Sequence, residues 1–470
     1  MDGLEATEIK LSALERTARI DSEFYKKSNI VVDNVLKQWE SSFVTKYFKV
    51  SDGNHMSISD EFRVDGIPYY RGQDIYNLFI EDSVPLKITN KAYHTKQMER
   101  SHLQKGDILM SIVGAIIGNS AMVTEDTPAT CSCKLSILRA KNRSILPELL
   151  LIYIKTKYGQ TQIQKFKRGA SQTGFLLEDF EQLIIPIFSH AFQKLISKSV
   201  ERTMCFDNDS KTKYQSAEAL LLSHLGLGNY TQNPKGIAVK SLSASFGTTG
   251  RLDSEYYQPK YEEVLQAISA HNPKQLGGAI GLVDIKKSIE PGSEFYGNEG
   301  IPFVRISNLS KYEISEPDIK IPFNTVDNIQ KLYPEKDTIL LSKDGSVGIA
   351  FKVENKMQCV TSGAILHLKI KDTAVLLPDY LTLVLNSKIV QMQAERDAGG
   401  SIIQHWKPSE IEDVVIPVLD KDKQLLIAEK VKESFALRKK STELLELAKT
   451  AVEVAIEQGE DKAIAMLKEV

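Results

Sequence analysis

The sequence predicts an α+β protein made by tandem duplication: two α/β globular domains, each followed by a long helix, with the two helices pairing as an antiparallel coiled coil of pseudo-two-fold symmetry. Three observations point to this. Four separate blocks of sequence recur at a nearly constant spacing. Each copy runs through the same order of strand-like segments, glycines, a proline-opened helix and a closing Ile-Pro. Each copy then ends in a long segment with apolar residues at alternating four- and three-residue steps.

The recurrence is direct. Arg19-Ile20-Asp21-Ser22-Glu23-Phe24-Tyr25 returns as Arg251-Leu252-Asp253-Ser254-Glu255-Tyr256-Tyr257, and Gly66-Ile67-Pro68-Tyr69-Tyr70-Arg71 as Gly300-Ile301-Pro302-Phe303-Val304-Arg305. Gly106-Asp107-Ile108-Leu109-Met110-Ser111, with Gly114 and Gly118 behind it, is echoed by Asp337-Thr338-Ile339-Leu340-Leu341-Ser342 with Gly345 and Gly348. Leu146-Pro147-Glu148 through Ile185-Pro186-Ile187 matches Leu377-Pro378-Asp379 through Ile416-Pro417-Val418 without a gap. The displacements are 232 (19 to 251), 234 (66 to 300) and 231 (146 to 377) residues. A period this long far exceeds the roughly 20–45 residues of a solenoid repeat, so each copy is expected to be a complete domain with its own core. The expected division is a first globular domain at 1–189, its helix at 190–228, a second globular domain at 229–419 and its helix at 420–470.

Within a copy, the Ile- and Leu-rich runs at 108–112 and 339–341 read as strands, and the glycines after them mark tight turns or close backbone approach. A helix opens on Pro147 or Pro378 in its first turn and is expected to run to about Gly169 or Gly399-Gly400. A short strand closing on Pro186 or Pro417 follows. The long helices are expected at about 191–224 and 423–457, each roughly 50 Å at 1.5 Å per residue. Their stripes are Ile196, Val200, Thr203, Asp207, Ser210, Tyr214, Ala217 and Leu221, and in the same register Ile427, Val431, Ser434, Arg438, Ser441, Leu445, Ala448 and Val452. Apolar ends with a polar middle favour coiled-coil-like pairing over each helix packing back on its own domain. In an antiparallel pair, Asp207 and Arg438 would stand as counterparts near the axis and help to set the register; the alternative is that both point to water.

At 470 residues the chain suits two or three domains, and 42% hydrophobic with 26% charged residues is ordinary for a globular protein. No apolar run approaches the ~20 residues that span a bilayer, and the acidic opening Met1-Asp2-Gly3-Leu4-Glu5 does not resemble a secretory leader, so a cytoplasmic protein with no membrane partner is expected. Cys205 and Cys359 stand alone, and the Cys131/Cys133 pair has no second pair or nearby histidine to complete a metal site, which favours free thiols. Phosphate-loop, H-E-x-x-H and G-x-S-x-G motifs are absent, and no reactive constellation is shared by the two copies, so neither a catalytic residue nor a metal is expected. The recurring carboxylates Asp21/Asp253 and Glu23/Glu255 read as caps or ion-pair partners. The glycines after the strands read as turns rather than a nucleotide loop. The net charge of −2 means that a polyanion would be met by segregated basic residues or with a partner's help.

What recurs in the loops is the chemistry that reads nucleic-acid edges. Arg71 with Gln73, and Arg305 with Asn308, follow the Gly-Ile-Pro blocks; Arg and Asn/Gln are the side chains that bond bidentately to guanine and adenine. A further loop carries Lys167, Arg168, Gln172 and Thr173 in the first copy and Gln404 and His405 in the second. Lys343-Asp344-Gly345 stands where the first copy has Ile112-Val113-Gly114.

The Arg-[Ile/Leu]-Asp-Ser-Glu-[Phe/Tyr]-Tyr blocks, the Gly-Asp-Ile-Leu block with its glycines, and the closing Ile-Pro before a long helix together resemble the specificity subunit of type I restriction-modification systems. The resemblance spans about 19–457. It implies two target recognition domains that each read one half of a split double-stranded DNA target in the major groove, and paired helices that fix the unread gap. It also implies adenine-N6 methyltransferase subunits docked on those helices, carrying the S-adenosylmethionine that this chain would not bind, and a restriction or translocase subunit joining them. Two other readings are a duplicated scaffold bridging two protein partners without DNA, and the recognition part of a fused enzyme. The latter would need an Asn-Pro-Pro-Tyr-type motif, which the chain lacks.

Overall fold

A computed structural model describes residues 7–11, 19–169, 173–228, 237–399 and 404–468. They fall into two compact units. One joins Met1–Asp207 to Lys439–Val470, and the other is Asn208–Arg438. The division passes through the middle of both long helices, His190–His224 and Lys421–Gln458.

In the first unit an antiparallel sheet has the order Phe48–Asp52, Leu135–Ala140, Ile108–Ser111, Ser120–Met122. A smaller sheet orders Phe62–Arg63, Leu86–Ile88, Ile67–Tyr70 and Thr130–Cys131, its last pair parallel. Ser41–Phe43 pairs with the closing Ile184–Pro186. The second unit repeats this plan with Val283–Lys287, Ile365–Ile370, Ile339–Ser342 and Ala350–Lys352, a three-stranded sheet of Lys320–Ile321, Ile301–Val304 and Val360–Thr361, and Pro273–Gln275 paired with Val415–Pro417. Ile108–Ser111 and Ile339–Ser342 are buried at every residue, which is why their sequences are apolar runs rather than alternations.

The single helix expected after Pro147 and Pro378 is two helices in each copy. Pro147–Lys155 is followed by Lys157–Phe166, and Pro378–Asn386 by Lys388–Asp397. Thr156 and Ser387 sit at the breaks with an extended ψ of 162°. Their hydroxyls donate back to the carbonyls of Tyr153 (2.6 Å) and Val384 (2.7 Å), and Thr156 Oγ1 also accepts from the Gly159 amide. Such local bonds compete with the helical ladder and end it.

The expectation that each copy completes its own core is corrected. In the first unit, Phe192, Ile196 and Val200 of the first long helix share one core with Ala448, Ala451, Val452, Ala455 and Ile456 of the second. The Trp39 indole donates to the Ile456 carbonyl (2.9 Å), the Tyr158 hydroxyl to Glu457 (2.9 Å), and Ser441 Oγ to the Thr203 carbonyl (3.1 Å). The second unit's core holds Tyr214, Ala217 and Leu221 with Ile427 and Val431, and Ser434 Oγ donates to the Ser210 carbonyl (2.7 Å). The helical stripe read from the sequence is therefore buried, except that Asp207, Arg438 and Leu445 are half-buried and Leu444 takes the inner place.

Cys131 and Cys359 are buried free thiols, Cys133 is half-buried and Cys205 exposed. Burial pushes the Cys131 and Cys359 thiols up, the latter to about 11. Among the described residues no group of three or more potential ligands could hold a metal ion, and no helix is long and apolar enough to cross a membrane.

Candidate nucleic-acid interface

Three loops converge in each unit. The first is the turn after the Gly-Ile-Pro strand. Gly66 (φ +153°) and Gly300 (φ +115°) open these strands with a neighbouring strand's backbone pressed on them; a Cβ would lie 2.2 Å from the Ile88 or Ile321 carbonyl oxygen. Both strands lead into a short 3₁₀ turn headed by an arginine. The Arg71 amide donates to Asp74 Oδ2 (2.8 Å), and the Arg305 amide to Asn308 Oδ1 (3.0 Å). Arg71 Nε also reaches Asp74 (3.2 Å), while the Arg305 guanidinium forks onto Asp318 (2.9 and 3.2 Å). Asn308 is buried, and its Nδ2 donates to Ser315 Oγ, so it braces the turn rather than facing outward. Gln73 is exposed.

The second loop follows the central strand. Gly114, Gly118, Gly345 and Gly348 all have positive φ, which L side chains rarely adopt. Gln160 and Gln391, from the second short helices, donate to the carbonyls of Gly118 (3.1 Å) and Gly348 (2.8 Å), confirming these glycines as turn formers. Ile116 and Ser111 lie against Gly72, and Ile306 against Gly345, so the first and second loops are neighbours in both units.

The third loop is closed by narrow backbone bridges, Arg168 to Gly174 and Gly399 to His405. It also bonds to the second loop at equivalent places. The Gly114 amide donates to the Thr173 carbonyl and that of Gly345 to the Gln404 carbonyl, both at 2.9 Å. Phe175 and Trp406 amides donate to the Ile112 and Lys343 carbonyls (2.9 and 2.8 Å). Every one of these positions is displaced by 231 residues. The backbone scaffold is common to both units; the side chains on it are not.

The structure brings together Thr173 with the Gly114 turn (Oγ1 to the carbonyl, 3.2 Å), and Lys343, Gln404 and His405 in the second unit. Lys343 and His405 both pair with Asp344, the middle residue of the Lys343-Asp344-Gly345 loop. Arg168 is turned towards buried Asp179 and towards Glu178, 3.4 Å away; burial raises the Asp179 carboxyl, the nearby Arg168 and Arg19 charges opposing it. Lys167 is half-buried beside a polar cleft of about 680 Å³ that Arg19, Asp21, Arg168 and Glu178 also line. Gln172 lies outside the described residues. Asp207 belongs to the first unit and Arg438 to the second; within its own unit, Arg438 stands 4.5 Å over the Tyr312 ring.

The recurring Arg-x-Asp block supports this frame. Arg19 pairs with Asp21 (2.7 Å) and donates to the Phe166 carbonyl (3.1 Å). Arg251 pairs with Asp253 (2.6 Å) and donates to the Asp397 carbonyl (3.3 Å). The Arg19 and Arg251 hydrogen bonds hold the Asp21 and Asp253 carboxyls below their ordinary range. Each arginine thus caps the short helix that leads into the third loop, and the blocks are the ion pairs their carboxylates suggested. The arginine half of that role was legible only as a repeat.

Comparison with known proteins decides the family. A model described as the type I restriction modification DNA specificity domain matches residues 37–217 and again 276–447, most of the chain and once per copy. The chain belongs to the type I restriction-modification DNA specificity family. A curated relative, the type I restriction enzyme EcoBI specificity subunit of Escherichia coli, is 26% identical over 155 residues, 33% of this chain; the match spans about a third (32%) of that relative's length. Among solved structures, the type-I restriction-modification S subunit from M. genitalium covers 91% of this chain and 96% of its own at 14% identity and a TM-score of 0.38. The HsdS subunit from Thermoanaerobacter tengcongensis covers 90% and 97% at 16% identity and a TM-score of 0.29.

Proposed function

We propose that this specificity-family chain is the non-catalytic DNA-recognition subunit of a type I restriction-modification complex. Each unit's loop cluster reads one half of a bipartite, asymmetric duplex target. The observation that carries the reading is the loop scaffold itself: the same backbone bonds recur 231 residues apart, while Ile112-Val113 is replaced by Lys343-Asp344 and Gly174 by His405. A shared frame with unlike side chains suits two recognition surfaces of one kind with two different sequences.

The two long helices act in this reading as an antiparallel coiled-coil spacer. Two features support that: the buried 4,3 stripes, and the Ser441–Thr203 and Ser434–Ser210 bonds, in which rising numbers on one helix meet falling numbers on the other. A helix of ~34 residues is about 50 Å long, enough to hold half-sites one duplex turn (~34–36 Å) apart. Adenine-N6 methyltransferase subunits dock on this spacer, bring S-adenosylmethionine, and contribute the phosphate-neutralising charge that a chain of net −2 lacks. The restriction subunit joins through them.

The test is selection from random duplexes by the chain with its methyltransferase partner, read alongside the methylated adenines of the host genome. A split consensus with two unlike halves is expected. Retention of duplexes with no split consensus overturns the reading.

A further inference from the structure

We propose that Asp344 is a positioning residue that makes His405 a specificity-determining side chain of the second recognition unit. This rests on the reading of the loop clusters as DNA-reading surfaces and names the residue pair by which one of them selects a base edge.

The backbone clamps His405 from two sides. It forms one bridge to Gly399, with bonds of 2.7 and 3.1 Å, and another to Asp344 itself. The side chain is fixed as well. Asp344 Oδ1 lies 2.8 Å from His405 Nδ1, and the same carboxylate pairs with the Lys343 ammonium. Exposure separates the roles. The Lys343 and Asp344 side chains are 16% and 22% exposed and form the floor, whereas the His405 side chain is 64% exposed and is the part presented. Burial raises the Asp344 carboxyl, but its hydrogen bonds and charge contacts with Lys343 and His405 outweigh this and hold it below the ordinary range. It is therefore an acceptor only, and His405 Nδ1 must donate. The ring is left with Nε2 on its far side, without a hydrogen-bond partner among the described residues. An imidazole with one nitrogen tied down by a carboxylate has a defined tautomer and direction, which turns a freely rotating side chain into a directional contact. Its natural ligand in this setting is a base edge in the major groove.

The first unit has no counterpart. Ile112, Val113 and Gly174 occupy the positions of Lys343, Asp344 and His405 on the same backbone frame. The device must therefore act on one half of the target only, and this asymmetry makes it testable.

The experiment uses the full chain with its methyltransferase partner and duplexes selected from a random pool. H405A and D344A are each expected to relax the same single position in one half of the consensus by about tenfold, the scale of one good base contact. The other half should stay unchanged, and the double variant should be no worse than H405A. D344N, whose amide oxygen still accepts from Nδ1, should keep the preference. Unchanged selection by H405A or D344A, or equal relaxation of both halves, would overturn the proposal while leaving the recognition reading intact. A wild-type protein that selects no split consensus overturns both.

Discussion

His367 shows at residue scale how burial sets a chemical state. It lies on the strand Ile365–Ile370, its Nε2 2.8 Å from Thr361 Oγ1, and burial pushes its pKa down from 6.5 to about 4, with Lys286 adding to the effect. Unfolded, the imidazole takes up a proton near 6.5; folded, it resists doing so until about 4. Above about pH 6.5 both states are neutral and nothing changes. As pH falls from there towards 4 the unfolded chain binds the extra proton, and the second unit loses stability. The expected loss between pH 7 and 5 is on the order of 1–2 kcal/mol. Hydrogen exchange of the 365–370 strand should show it in the wild type and much less in H367Q; equal pH dependence in both would refute it. Legibility at this scale was uneven. Residue types suited to base edges could be picked out along the chain, but their partners could not. Asp74 and Asp318 stand 3 and 13 positions from their arginines, and Asp344 61 positions from His405, so only the folded loops reveal which cations are held. Asn308 carries an amide suited to a base edge, yet that amide faces inward because the turn needs an acceptor for the Arg305 amide, the role Asp74 has in the first unit.

Elements were more legible than residues because periodicity and proline placement are local. Both Pro-opened helices begin, and both buried strands and both long helices stand, where the pattern put them. The breaks at Thr156 and Ser387 leave no such signal, since a hydroxyl's choice between water and a carbonyl is not written in its neighbours. One element differs between the copies in a way that has a consequence. In the second unit the segment directly after the Arg305 turn is closed by a bridge from Leu309 to Ile314. Its Tyr312 packs edge-on against Tyr214 (5.3 Å) and tilted against Phe435 (6.3 Å), with Arg438 above the ring. The loop next to a reading turn is thereby tied to helical residues of the same unit. Y312A should cost about 1–2 kcal/mol locally, from lost aromatic contact. Faster amide exchange is expected at 306–315, with the 71–80 segment unaffected. Unchanged exchange at 306–315 would mean that Tyr312 covers the helix without holding the loop.

At the scale of the whole molecule the repeat and the compact unit are not the same object. The repeat gives two copies end to end, yet the first unit needs Lys439–Val470 from the far end of the chain, and the second contains the latter half of the first long helix. An amphipathic stripe announces that a helix requires a partner; it does not say which one, and here Ala448, Val452, Ala455 and Ile456 complete a core begun by residues some 300 positions earlier. Removing 439–468 should therefore damage the end of the protein nearest the N-terminus in sequence. Ala451, Val452 and Ala455 are fully buried, and their loss would leave Phe192, Ile196 and Val200 facing water, at about 25 cal/mol for each Å² of apolar surface uncovered. Amides of the 108–111 and 135–140 strands are expected to lose protection in the truncated chain, while those of 339–342 and 365–370 keep theirs, because the second unit ends at Arg438. Equal protection of both sheets after truncation would show that the first unit closes its core without the second helix. Loss from both sheets together would show that the units fold as one.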